Sequence, residues 1–488
     1  MKRFLTILAF LSLGFSAFAQ EAQEAQEEDK AKEKEVKKGW SFGVLPTATW
    51  STDNGFQAGL FGDVYYYGDG STYPDPVHKI SWEGSYFTHS HRMRLYLAYD
   101  SKYLIPKMRV NASVTYVTDP LYSFWGFNGP ASVQNYDIWG NRNYADLYQG
   151  TNINYYGMGR DMLRVLANFQ GQIIPHLNWA AGINFWYWKL GPMKDNGAKL
   201  KDENGNYIKD AEGNNQLFYY NKDFTLVRAY QNAGLLTEQD LTGGMSLEVN
   251  AGLVYDTRDM EAAPNKGIWA EAYLNGAPYA GNPANGSYNP YLKACVYFRQ
   301  YLSIPIHIPA GEPVFAYRLA WQQTLLGETP FYMIQNVPLL VQRNMISEGF
   351  GSSNTLRGMR ENRILAEGMA WVNTELRVKL VKFKLFNQFF YVAVNPFFDG
   401  GFITKQYKKD IIDQVALDGK IYDPWLALLG QDTLIYDASN AGRFIYSAGA
   451  GLKLAMNQNF IISAEYAKCF TPGMAADPWI GIGINYQF

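Results

Sequence analysis

Cysteine is scarce. Cys295 and Cys469 are the only two in 488 residues, and both fall inside strand-like segments, which argues against a disulfide framework. Histidine is scarce as well, with five in all. His89 and His91 share one strand face at a spacing that could hold a metal, but with no cysteine nearby they read better as surface or lumen residues. No internal stretch of about eighteen apolar residues exists to cross a bilayer as a helix. A G-x-S-x-G nucleophile turn is missing, and Gly157-Met158-Gly159-Arg160 and Gly481-Ile482-Gly483 lack the strand–turn–helix setting of a phosphate loop. Neither enzyme activity nor a cofactor is expected. The charges nearly cancel, at −2, so no nucleic-acid partner is expected either.

Aromatics, by contrast, make up 16% of the chain, with 36 Tyr and 13 Trp. The N-terminus reads as an export leader over 1–19: basic Met1-Lys2-Arg3, an apolar run from Phe4 to Phe15, and the cleavage site Ala17-Phe18-Ala19. Residues 20–38 are highly charged and free of aromatics, and read as a periplasmic tether, with a docking helix or lumen plug as the alternative. From 39 to 488 the pattern is period-two alternation. It divides into sixteen candidate strands, the first at 40–50 and the last at 479–488, of lengths that suit strands tilted across a membrane.

The connections alternate in length. Links such as 119–154, 190–244, 327–367 and 400–441 are long and rich in Asn, Gly, Asp and Lys, whereas 104–106, 172–176, 382–385 and 456–459 are short. Long loops at one end and tight turns at the other are the asymmetry of outer-membrane barrels. The aromatic clusters Tyr65-Tyr66-Tyr67 and Trp186-Tyr187-Trp188 end strands, as interface girdles do. The expected fold is therefore all-β: a 16-stranded transmembrane antiparallel barrel over 39–488, with outer-membrane lipid as its surroundings. A lipid-exposed open edge would leave backbone groups unpaired, so the first strand should close on the last.

The chain is organised around Gly351 to Arg377. A polar loop carries Leu356-Arg357-Gly358-Met359, and a strand follows with Met369, Trp371, Asn373, Glu375 and Arg377 on one face, read as outward. Phe397-Phe398-Asp399-Gly400-Gly401 closes another strand. Arg357 could fold inward between Glu375 and Asp399 with charge-assisted hydrogen bonds. An ordinary surface arginine beside two unrelated acids fits the same residues. Near the middle of the chain, Tyr255-Asp256-Thr257-Arg258-Asp259 precedes Pro264-Asn265-Lys266-Gly267, and Asp256, Arg258 and Asp259 could form an ion-pair knot at a periplasmic turn closed by Gly267.

Taken in order, these four stretches resemble motifs of the BamA/TamA-type assembly barrels, the bacterial surface antigen family. Leu356 to Met359 resembles its (V/I)RG(F/Y) loop, Asn373 to Arg377 its N-x-E-x-R strand, Phe397 to Gly401 its F-x-D-x-G strand, and Asp256 to Gly267 its D-T-R-D…P-x-x-G turn. The resemblance implies that the loop between strands 11 and 12 enters the lumen and that Arg357 and Gly358 meet Glu375, Asp399 and Phe397. Met359 departs from the aromatic of the motif, and the periplasmic POTRA domains of the best-known members are missing. The C-terminal strand, ending on Phe488, resembles the sorting signal of such barrels.

The resemblance also implies an openable seam at which client strands pair. Gly43 and Pro46 in the first strand and Gly481 and Gly483 in the last would soften it. Three functions stay open: an assembly or translocation barrel acting on client outer-membrane proteins or lipoproteins, with periplasmic or lipoprotein partners replacing the POTRA domains; a passive pore; and a surface scaffold that binds lipoproteins or extracellular ligands.

Overall fold

A computed structural model describes residues 36–134 except 74, 155–193, 206, 209, 211–214, 225–338 except 262 and 307, and 349–484 except 386–387, 425–426, 428–431, 457–459 and 475–477. The expected leader, most of the expected tether and Phe488 lie outside the described residues.

Sixteen barrel strands follow one another: β1 Trp40–Ser51, β2 Gly55–Tyr66, β3 His78–Phe87, β4 Met93–Ile105, β5 Met108–Ser123, β6 Gly157–Ile174, β7 Leu177–Gly191 and β8 Gly243–Asp256. The second half is β9 Gly267–Asn282, β10 Tyr291–Ser303, β11 Val314–Gly327, β12 Gly368–Leu385, β13 Gln388–Lys405, β14 Ile445–Met456, β15 Phe460–Cys469 and β16 Trp479–Ile484. Each pairs antiparallel with the next, and β1 meets β16, closing the sheet. Small additions decorate the loops: a two-residue strand at Ser287–Tyr288, a hairpin of Lys420–Tyr422 with Leu434–Asp437, and the helices α1 Leu226–Asn232 and α2 Lys409–Val415.

Alternation decides which side chains meet lipid. Leu95, Leu97, Val249, Leu253, Leu274, Leu319 and Leu452 stand exposed on the outer surface, while Arg94, Asn250, Asn275, Arg318 and Lys453 lie on the lumen face between or beside them. An apolar outside around a polar inside is the inverse of a soluble core, and marks a membrane barrel.

The main hydrophobic cluster sits at the long-loop end rather than mid-barrel. Phe124, Phe127, α1 Tyr230, Phe331, Tyr407 and Tyr436 are buried there. Their rings meet edge to face, as in Phe124–Tyr230 at 5.4 Å and Phe127–Tyr407 at 4.8 Å. Asn128, buried with φ +60°, ties this dome together by donating to Tyr436 Oη and Tyr407 O and accepting from Tyr407 N.

Three expectations need correction. The face carrying Met369, Trp371, Asn373, Glu375 and Arg377 points into the lumen, because the loop that returns through the barrel supplies its partners. Trp186 and Trp188 are not girdle residues; both are buried inside, Trp186 donating to Glu248 and Trp188 to Met333 Sδ, and only Tyr187 faces outward. His89 and His91 lie in the turn between β3 and β4, with His91 at φ +54° and bonded to Tyr86, so they do not share a strand face.

Candidate functional site

The connection between β11 and β12 turns back into the barrel. Its polar start is compact because Thr355 bonds Gly351 through its hydroxyl, which both donates to the carbonyl and accepts the N–H. Asn373 on β12 donates to Thr355 O at 2.7 Å, and Arg318 on β11 donates to Asn373 Oδ1 at 2.8 Å and Asn354 O at 2.9 Å. Leu356 and Met359 are fully buried in a cluster with Tyr297, Trp371 and Ile445. Met359, standing where an aromatic was expected, thus still fills apolar space.

Between them Arg357 crosses to β13. Its Nε and Nη2 donate to the two oxygens of Asp399 at 2.8 Å each, its backbone N–H adds a third bond at 2.9 Å, and Nη1 reaches Glu375 at 2.8 Å. The guanidinium lies 3.6 Å from the centre of the Phe397 ring. All four groups are buried, Arg357 at 1% exposure and Asp399 at zero. A buried cation is costly unless its donors are satisfied, and the fork geometry of arginine meets that condition with two carboxylates. Glu375 is shared further with Lys453, Arg377 and Asn395, at 3.0, 2.8 and 3.0 Å. Gly358 has φ +85°, and a Cβ there would stand 3.1 Å from the Lys468 backbone and Ser447 Cβ, so glycine lets the loop lie against β14 and β15.

The turn between β8 and β9 belongs to the same assembly. Arg258 pairs bidentately with Asp256, at 2.9 and 2.6 Å, over the Trp269 ring at 3.8 Å. Asp259 accepts from the Asn265 backbone and side chain at 3.0 and 3.1 Å. Burial alone would raise the Asp259 carboxyl, but the Asn265 and Lys266 donors hold it below its ordinary value. Gly267, at φ +111°, has Thr257 O where a Cβ would stand, at 2.4 Å. Across the lumen Arg377 donates to Pro264 O at 3.4 Å and Lys379 to Asn265 Oδ1 at 3.0 Å. The turn and the Arg357 cluster are therefore one connected network. Sequence reasoning treated them apart because their link spans more than a hundred residues and needs a closed barrel.

The β1–β16 junction is described at the hairpin-tip end. It pairs Trp50 with Ile482 and Ser51 with Gly481, whereas β1 pairs with β2 from Trp40 to Ser51, its whole length. Gly483 and Ile484 pair with β15, yet Thr49 and Ala48, opposite them in register, have no strand partner on that side among the described residues. Pro46 lies further along the same edge of β1. Gly39 O accepts from Tyr67 N and Thr52 N donates to Ile480 O. With unbroken register along β1, even-numbered residues turn their backbone groups toward β16, and Pro46 has no N–H to offer there. Gly43 has open space around it. Gly481 has a packing reason instead: the Trp479 indole lies over it, 2.4 Å from where a Cβ would stand.

A polar lumen of about 1500 Å³ remains beside the inward loop, lined by residues such as Glu83, Arg94, Asp100, Arg109 and Glu465.

No family model matches this sequence, and no curated protein matches it. A solved structure does share its fold. BamA from Haemophilus ducreyi lacking POTRA domains 1-3 matches with a TM-score of 0.50 at 13% identity, over 92% of this chain and 70% of that one. CdiB from Acinetobacter baumannii gives 0.45 at 10% over 92% and 60%, and CdiB from Escherichia coli 0.48 at 10% over 91% and 62%. The chain thus spans less than two thirds of either CdiB chain.

Proposed function

We propose that this chain, which folds as the BamA barrel does, sits in the bacterial outer membrane and helps to insert, assemble or export other proteins there. The single observation that carries this reading is the seam. A closed barrel without an edge has nothing to offer an unpaired client strand, whereas Thr49 and Ala48 of β1 have no strand partner on the β16 side among the described residues. Client outer-membrane proteins or lipoproteins are the natural partners of such an edge. Periplasmic or lipoprotein partners would deliver clients to it. The residues of the latch (Arg357, Gly358, Glu375, Phe397 and Asp399) would hold the working conformation of the inward loop, and the Asp256–Gly267 turn would brace it.

A passive pore is the weaker reading, because the buried aromatic dome and the inward loop occupy the long-loop end of the lumen. Reconstitution tests the proposal: purified barrel in liposomes is mixed with a urea-unfolded outer-membrane protein, and client folding is followed by gel migration. Faster folding than in empty liposomes is expected. Equal rates, accompanied by steady ion conductance, would favour the pore.

A further inference from the structure

The hairpin tip joining β1 to β2, Thr52 to Asn54, touches both the inward loop and the last strand. Toward β16, Thr52 N donates to Ile480 O at 3.0 Å, Ile480 N donates to Thr52 Oγ1 at 2.8 Å, and Trp479 Nε1 donates to Asp53 Oδ2 at 3.0 Å. Toward the loop, Arg360 Nη1 donates to Thr52 O at 2.7 Å and lies 3.6 Å from Asp53 Oδ1. Asn54 Nδ2 donates to Glu361 at 3.3 Å, and Glu361 is held by Arg92 at 3.1 Å. One carboxylate, Asp53, thus receives the loop on one oxygen and the last strand on the other. A second route runs through rings: Phe397, which carries Arg357 on its face, shares a buried cluster with Trp479 and Ala467.

We propose that the inward loop is the clasp of the seam. Arg360, through Asp53 and Thr52, and Arg357, through Phe397 and Trp479, hold the β1–β16 junction at the end where it is paired, so releasing the loop and opening the seam are one event. Arg360 is a positioning residue in this scheme, acting through the hairpin tip. The inference rests on the seam being the working edge.

The test is hydrogen exchange of the Thr52 and Ile480 amides in the full chain in lipid bilayers. Arg360→Gln removes the charge at the tip and should speed both amides about tenfold, the factor carried by one charge-assisted hydrogen bond. Lys408→Gln is the control, because its ammonium pairs with Asp240 at 2.8 Å, away from the inward loop and the hairpin tip; it should leave both amides unchanged. Unchanged exchange in Arg360→Gln, or equal acceleration in Lys408→Gln, would overturn the clasp. Should Arg360→Gln fail to fold, Asp53→Asn must speed the same amides, and unchanged exchange there overturns the proposal equally. Client insertion measured in parallel separates the two readings: if the amides respond as expected and even the unaltered barrel inserts nothing, the clasp stands and the assembly function falls.

Discussion

Replacing Arg357 by alanine would leave Asp399, which has no exposure to solvent, holding a single backbone N–H in place of three donors. Glu375 is better placed, because Lys453, Arg377 and Asn395 still reach it. The loss therefore falls mainly on the Asp399 side, and breaking one partner of a buried pair costs about 3–5 kcal/mol. Arg357→Lys keeps the charge but loses the fork, so it should fall between alanine and the unaltered chain. Removing both charges with Arg357→Ala and Asp399→Ala should cost less than the sum of the single variants, with a coupling of about 2–3 kcal/mol. The assay is urea unfolding in detergent micelles, followed by heat-modifiable gel migration, with protease cleavage between 351 and 367 reporting release of the loop. Additive effects, or an alanine cost within about 0.5 kcal/mol of zero as for ordinary surface changes, would refute the latch.

Other outcomes follow from the same geometry. Gly358→Ala forces a side chain into a left-handed backbone position against the Lys468 backbone, and should destabilise the loop by about 1–3 kcal/mol, read by the same protease cleavage. Gly481→Val should push the Trp479 indole off its site and weaken its bond to Asp53, seen as a shift in tryptophan fluorescence; an unchanged spectrum would contradict the packing described. Asp259 has a depressed carboxyl, so its contribution to the turn is complete above the ordinary value of about 3.9 and is lost as pH falls through its lower folded value. Protease clipping within 257–266 should therefore rise at acid pH, and Asp259→Asn should flatten that dependence.

Much of this architecture was legible in the chain. Period-two alternation placed sixteen strands, because a lipid-facing side chain every second residue is imposed by the strand itself. The residues alone allowed the Arg357, Glu375 and Asp399 grouping beside a plain surface arginine, and it was the resemblance of the surrounding motifs that implied the grouping. What alternation gives is which residues share a face; which face points inward depends on what returns through the lumen, and that reversed the reading of Trp371 and Glu375. Trp186 and Trp188 misled for a related reason: aromatics at strand ends suit a girdle or a dome equally, and the dome forms only when Phe124, Tyr230 and Tyr407 arrive from distant loops. Contacts such as Arg360 with Asp53, more than three hundred residues apart, depend on closure of the barrel and leave no local signal.

The most direct test of the seam is to lock it. Thr49 and Gly483 lie one register step past Trp50↔Ile482 and Ser51↔Gly481, the pairs found among the described residues, and Gly483 has room for a side chain, with Ser463 Oγ 3.8 Å from its Cβ position. Cysteines at both positions, oxidised in cells that depend on this barrel, would fix the junction shut. The assembly reading predicts that other outer-membrane proteins decline on oxidation and recover when reductant is added. Undiminished levels in fully crosslinked cells would contradict it.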